Sequence, residues 1–274
     1  MSLHVESIGS GEPLLLIHGW GMHGGVWTDV AQKLSEDFQV LSVDLPGYGY
    51  SRDVGWVERS DTHHGAGSED GYRYAQPILQ GVVDQLSAQF PETLNVCGWS
   101  LGGQLALHWA AREPAKVRRL VLVTSTPCFA ERDDWLFGMA GEVLAKFADE
   151  LEQNHAATLR RFIALQLRGS ENERELLALL RERLFSRGEP DMGALRGGLE
   201  ILRDADLRAG LAEIAQPTLL IAGGRDKLTP PEASYYLAQT MPSARVVEVA
   251  GASHAPFLSH PGIFVEQVKS FLHE

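Results

Sequence analysis

Only two of the 274 residues are cysteine, Cys97 and Cys128, and the first stands inside a short apolar run. Two thiols so placed argue against a disulfide scaffold and fit a reducing compartment. Long hydrophobic runs are missing too. Leu14 to Ile17 is too short for a signal-peptide core or a membrane span, and no basic segment precedes it, so a cytoplasmic protein is expected. Positive charge is also scarce: 24 Lys and Arg face 36 Asp and Glu, a formal net charge of −12. Attraction to phosphate at long range needs the opposite sign, which makes nucleic acid and anionic membrane surfaces poor general partners. No internal repeat is evident.

What is present is ordinary globular material, 44% hydrophobic and 22% charged, long enough for a sizeable core. Short β-rich apolar runs recur at Leu14 to Ile17, Val40 to Val43, Leu94 to Cys97, Leu120 to Val123, Thr218 to Ala222 and Val246 to Val249. Runs of this kind suit parallel strands buried on both faces. Amphipathic stretches lie between them, among them Ile78 to Phe90 and Gly102 to Arg112, and read as crossover helices. From Pro127 to about Leu195 helix formers dominate without a strand-like run. The expected organisation is therefore α/β, a core of residues 1–126 and 196–274 with a helical lid, residues 127–195, inserted over the carboxyl ends of the strands. Asp53 to Tyr74 reads as an exposed loop; its adjacent His63 and His64 have no third ligand nearby in sequence, which makes metal binding a poor reading.

The stretch Asn95 to Gly103, "NVCGWSLGG", sets Ser100 between Gly98 and Gly102, after an apolar run and before a helical one. That context defines a nucleophile elbow, a tight strand-to-helix turn that presents a serine hydroxyl next to backbone N–H donors at the helix start. A serine needs a base, and the base a carboxylate. His254 follows the last strand-like run and Asp226 follows the one before it, so the three occur in the order Ser, Asp, His. Asp204 and Asp206 are rivals for the acid, but they precede a strand instead of following one. His4, His155 and His273 are expected at the surface, and His18 is expected to be buried for packing. The turn after Leu14 to Ile17, "HGWG", offers the N–H of Trp20 as an oxyanion donor beside that of Leu101. Such chemistry calls for no metal and no cofactor.

The motifs "LLLIHGWG", "DLPGYGYS", "GWSLGG", "GGRDKLTP" and "ASHAPF" resemble the α/β-hydrolase superfamily across nearly the whole chain. The fold implied is a mostly parallel central sheet flanked by helices. More narrowly, "HGWGMHGGVW", "STPCF", "RRFIALQLRGS", "GGLEIL" and "SHAPFLSHP" are similar to the BioH-type pimeloyl-[acyl-carrier protein] methyl ester carboxylesterases of biotin synthesis. The resemblance implies a methyl ester substrate carried on an acyl carrier protein. It places the catalytic residues at Ser100, Asp226 and His254, the oxyanion donors at Trp20 and Leu101, and a substrate-lining stretch at Phe162, Ile163, Ala164, Leu165 and Gln166. Trp20, Phe129, Phe162 and Leu165 are expected to line an apolar channel.

Broad carboxylesterases and carbon-carbon bond hydrolases use the same triad, whereas dehalogenases and many epoxide hydrolases of this fold need an aspartate where Ser100 stands. Between His155 and Arg187 seven arginines face four glutamates, a local charge of +3 in an acidic chain. Arg160, Arg161 and Arg174 are therefore candidates to dock the acidic carrier protein. A monomer is the expected state.

Overall fold

The computed structural model describes residues 2–55 and 71–274. Its centre is a seven-stranded sheet of β1 (Val5–Ile8), β2 (Glu12–Ile17), β3 (Phe38–Val43), β4 (Leu94–Trp99), β5 (Val117–Val123), β6 (Thr218–Gly223) and β7 (Ala244–Val249). The spatial order is β1-β3-β2-β4-β5-β6-β7, with every pair parallel except β1 and β3. Strands β4 and β6 are buried at all six positions, which explains why each reads as a largely apolar run without polar alternation. All six strand-like runs lie within strands. The remaining one, β1, is a short edge element with three of its four residues exposed, and it left no apolar signature.

The helices are α1 (Thr28–Leu34), α2 (Gly71–Gln89), α3 (Leu101–Arg112), α4 (Gly141–Leu167), α5 (Glu173–Leu184), α6 (Met192–Asp204), α7 (Pro231–Thr240), α8 (Pro256–Ser259) and α9 (Pro261–Leu272). The helix expected from Ile78 begins earlier, at Gly71, and runs through Pro77, so the end of the segment expected as loop is helical. Residues 56–70 of that segment, with His63 and His64, lie outside the described residues.

Strands β5 and β6 are adjacent in the sheet, yet α4, α5 and α6 intervene between them in sequence. The expected lid boundary at residue 195 falls inside α6, whose apolar face keeps it helical to Asp204. Helix α4 is two helices joined across a kink. At Asn154 the backbone leaves the helical region (φ −159°, ψ 83°), and the Asn154 side chain accepts the N–H of Ala157 at 3.0 Å, starting the second half with an N-cap.

The end of α5 is tied down onto the core. Arg183 donates to Asp29 at 2.7 Å, and its carbonyl accepts from His23 Nε2 at 2.8 Å. Arg187, 9% exposed, reaches the fully buried carboxylate of Asp44 at 3.0 Å and Glu6 at 2.6 Å. Asp44 also takes the N–H groups of Gly24 at 2.6 Å and Tyr50 at 2.9 Å. Burial opposes its charge, but His18, the Tyr50 N–H, Arg187 and the Gly24 N–H together hold the carboxyl below its ordinary range.

Candidate active site

Strand β4 ends at Trp99 and α3 begins at Leu101, leaving Ser100 alone in the turn with φ 55° and ψ −117°. This conformation is costly for a residue with a side chain. It is imposed by the N–H of Ser100 donating to Val123 at 3.0 Å, the Ser125 hydroxyl donating to the Ser100 carbonyl at 2.9 Å, and the N–H of Gly103 donating to the same carbonyl at 2.9 Å. The turn closes only because its flanks are bare. A Cβ on Gly98 would collide with the carbonyl of Gly102, and one on Gly102 with the carbonyls of Ile17 and His18.

Above the carboxyl edge of the sheet, His254 Nε2 lies 2.9 Å from Ser100 Oγ and its Nδ1 lies 2.7 Å from Asp226 Oδ2. All three residues are buried, Ser100 at 5% exposure. The Asp226 carboxylate is saturated: Oδ1 accepts the N–H groups of Leu228 and Thr229 at 2.8 and 3.2 Å, while Oδ2 takes His254 and the Thr229 hydroxyl, the latter at 2.7 Å. The His254 carbonyl accepts from Trp99 Nε1 and Thr124 Oγ1, each at 2.7 Å, and its N–H donates to the Gln166 carbonyl at 3.0 Å. The rival acids are engaged elsewhere, Asp204 with Arg203 at 2.6 Å and Asp206 with Arg208 at 2.6 Å.

The Trp20 indole is buried, donates to the Leu195 carbonyl at 2.9 Å and meets Phe162 edge-on at 4.9 Å. This joins the turn after β2 to both α4 and α6. Among the described hydrogen bonds none uses the N–H of Trp20 or of Leu101, which leaves both donors available. Phe162 and Ile163 are buried, Ala164 and Leu165 half-buried, and Gln166 Oε1 is buried without a partner among the described groups. Phe129 is buried in the core cluster, and no described contact brings it to Ser100.

His18 serves the turn. Its Nδ1–H donates to the Gly19 carbonyl at 2.8 Å, and its Nε2 accepts the Leu45 N–H at 3.0 Å. Burial pushes its pKa down to about 4, and burial likewise lowers His23 and His108. His4, expected at the surface, is half-buried edge-on against Tyr50.

The pH dependence of stability follows. Below about pH 6.5 the unfolded chain binds a proton at residue 18 that the folded chain refuses, so stability is full above that pH and falls toward pH 4. From His18 alone the loss is about 3 kcal/mol, with His23 and His108 adding to it. Chemical denaturation between pH 7 and 4.5 should show net proton uptake on unfolding; a flat profile would contradict the buried neutral assignment.

Sequence reasoning did not single out Thr229, Thr124 or the Asp44–Arg187 pair. For Thr229 a signal existed, a hydroxyl three residues after an aspartate in the loop following a strand.

The parallel sheet, the elbow on its carboxyl edge and the three aligned side chains define a hydrolase-like site. The chain belongs to the alpha/beta hydrolase fold family, whose model matches residues 12–261. It is 41% identical over 264 residues to a protein of Nitrosomonas europaea named pimeloyl-[acyl-carrier protein] methyl ester esterase, covering 96% of this chain and 97% of that one. A protein of Nitrosospira multiformis with the same name is 38% identical, with 99% and 98% covered. Among solved structures, an esterase from Exiguobacterium antarcticum superposes with a TM-score of 0.81 at 23% identity, over 99% of this chain and 96% of that one. That last likeness speaks to the fold.

Proposed function

We propose that the protein is a serine carboxylesterase that hydrolyses the methyl ester of a pimeloyl chain carried on acyl carrier protein, a step of biotin synthesis. Ser100 is the nucleophile, His254 the base and Asp226 the carboxylate that orients it. The Ser100 hydroxyl adds to the ester carbonyl as His254 Nε2 takes its proton, and the N–H groups of Trp20 and Leu101 hold the oxyanion. The imidazolium returns the proton to the departing methoxide, giving methanol and an acyl-enzyme. Water, activated by His254, then releases the free carboxylate and restores Ser100.

The observation that carries this reading is the full-length likeness to proteins of that name, which extends through the lid, together with the intact geometry of the three side chains. The helical segment after Thr126 is the lid of a core formed by both halves of the sheet. Trp20, Phe162, Ile163, Ala164, Leu165 and Gln166 are the residues that would meet the acyl chain, a reading supported by the Trp20–Phe162 contact and by the bond from the His254 N–H to the Gln166 carbonyl. Growth of a biotin-requiring strain lacking its own pimeloyl-ester esterase tests the reading. The wild-type gene should restore growth without biotin and the Ser100→Ala version should not. A failure of the wild type, with p-nitrophenyl butyrate still cleaved, would leave a broad carboxylesterase.

The carrier docks on arginines borne by α4 and α5, namely Arg160, Arg161 and Arg174. Those residues are not equally free. Arg161 pairs with Glu150 and stacks on Phe147, and Arg160 lies over Phe185. Arg174 is exposed with no described ion pair, so Arg174→Glu is the cleaner probe. It should lower kcat/KM for a carrier-linked pimeloyl ester several-fold at low salt, with the deficit shrinking at high salt. Hydrolysis of p-nitrophenyl butyrate should stay unchanged; an equal loss on both substrates would assign Arg174 to the lid's own structure.

A further inference from the structure

Two donors converge on one oxygen of Asp226. His254 Nδ1 and Thr229 Oγ1 both lie 2.7 Å from Oδ2, and Oγ1 lies 3.3 Å from Nδ1. Thr229 is 3% exposed, so no bulk water competes for its hydroxyl. Its single proton has a second acceptor, the Thr124 carbonyl at 3.0 Å. Thr124 is itself held at φ 40°, rare for a β-branched residue, by its N–H donating to Ile221 at 2.8 Å and its hydroxyl donating to the His254 carbonyl. The end of β5, the loop before α7 and the loop bearing His254 are thus knitted through two threonine hydroxyls.

We propose that Thr229 is a positioning residue that sets the basicity of His254 by donating to the same Asp226 oxygen that holds the imidazole. The proposal rests on the reading of Ser100, His254 and Asp226 as the catalytic triad. A hydrogen bond to a carboxylate disperses its charge, and whatever disperses charge at Oδ2 stabilises the imidazolium less. The hydroxyl therefore loosens the hold of Oδ2 on the imidazolium that forms when His254 takes the Ser100 proton. The backbone donors at Oδ1 are already engaged there and remain the same when the hydroxyl is removed.

Among the described residues the side chains in contact with the His254–Asp226 pair include Ser100, Trp99, Thr124 and Thr229, none of them charged. The ionisable groups of the flanking loops meet one another at the rim: Glu171 lies 3.8 Å from Arg225 and 3.9 Å from His260. Lys227 and Arg168 are exposed.

The test is the pH profile of kcat/KM for p-nitrophenyl butyrate in the wild type, Thr229→Val and Thr229→Ser, with the active fraction of each counted by phenylmethylsulfonyl fluoride labelling. The acid limb of that profile reports the group that must accept the Ser100 proton. Without the hydroxyl, Oδ2 holds the imidazolium more firmly, so the acid limb of Thr229→Val should move up by roughly half a pH unit, and Thr229→Ser should restore it. If the valine variant does not fold, Thr229→Cys, a weaker donor of similar size, should move the limb in the same direction. An active variant with an unmoved limb and a rate lowered equally at every pH would overturn the proposal and make Thr229 a packing residue. Ser100→Ala retaining activity would instead overturn the triad reading itself.

Discussion

Ser100→Ala is expected to lower the hydrolysis of p-nitrophenyl butyrate by roughly four to six orders of magnitude, the cost of losing a nucleophile that works as one unit with its base. The substitution is clean because nothing that shapes the turn depends on the hydroxyl. The bonds to Val123, Ser125 and Gly103 all use the backbone of residue 100, and the only described side-chain partner of Ser100 is His254 Nε2. Alanine meets the same backbone strain at φ 55° as serine does, so the thermal midpoint should change by only a few degrees. Phenylmethylsulfonyl fluoride should label the wild type at Ser100 and leave the variant untouched. Activity within tenfold of the wild type in a folded Ser100→Ala protein would exclude the serine mechanism.

The parts of this site visible in the sequence are those where backbone geometry restricts residue choice over a short distance. Gly98, Ser100 and Gly102 are local: the collisions that forbid a Cβ at the two glycines arise within the turn and the strand beside it. Strands β2, β4, β5 and β6 are buried along most of their length and so wrote largely apolar runs, whereas β1, on the edge with one antiparallel neighbour, wrote none. The break in α4 at Asn154 was hidden because an asparagine within a helix-forming stretch resembles a solvated residue until its side chain is seen capping Ala157. Arg187 counted toward the basic stretch of residues 155–187 in sequence, but it is a buried strut between Asp44 and Glu6. A partnership across 143 residues leaves no periodicity to read. The positive balance of residues 155–187 is accordingly smaller at the surface than their composition implies, since Arg161, Arg183 and Arg187 are already paired.

Asp226→Asn should cost about three to four orders of magnitude in kcat, through the proton on His254 and not through lost packing. In the wild type, Oδ1 is occupied by the N–H groups of Leu228 and Thr229, which require an acceptor. An asparagine at this position satisfies them only by placing its carbonyl oxygen there, which turns its NH2 toward His254 Nδ1. Two donors cannot face each other, so Nδ1 must become the acceptor and the imidazole proton moves to Nε2. An Nε2–H cannot take the proton of Ser100 Oγ, 2.9 Å away. The Thr229 hydroxyl, deprived of Oδ2, retains the Thr124 carbonyl, so the loop keeps one of its anchors. The variant should therefore fold, bind substrate with a KM near the wild-type value and react with phenylmethylsulfonyl fluoride far more slowly. Part of the lost rate should return at alkaline pH, where the serine needs less help to ionise. If kcat fell less than tenfold, Asp226 would not be the acid of the triad. Asp204 and Asp206 would then have to be tested, although both are committed to arginines in this structure.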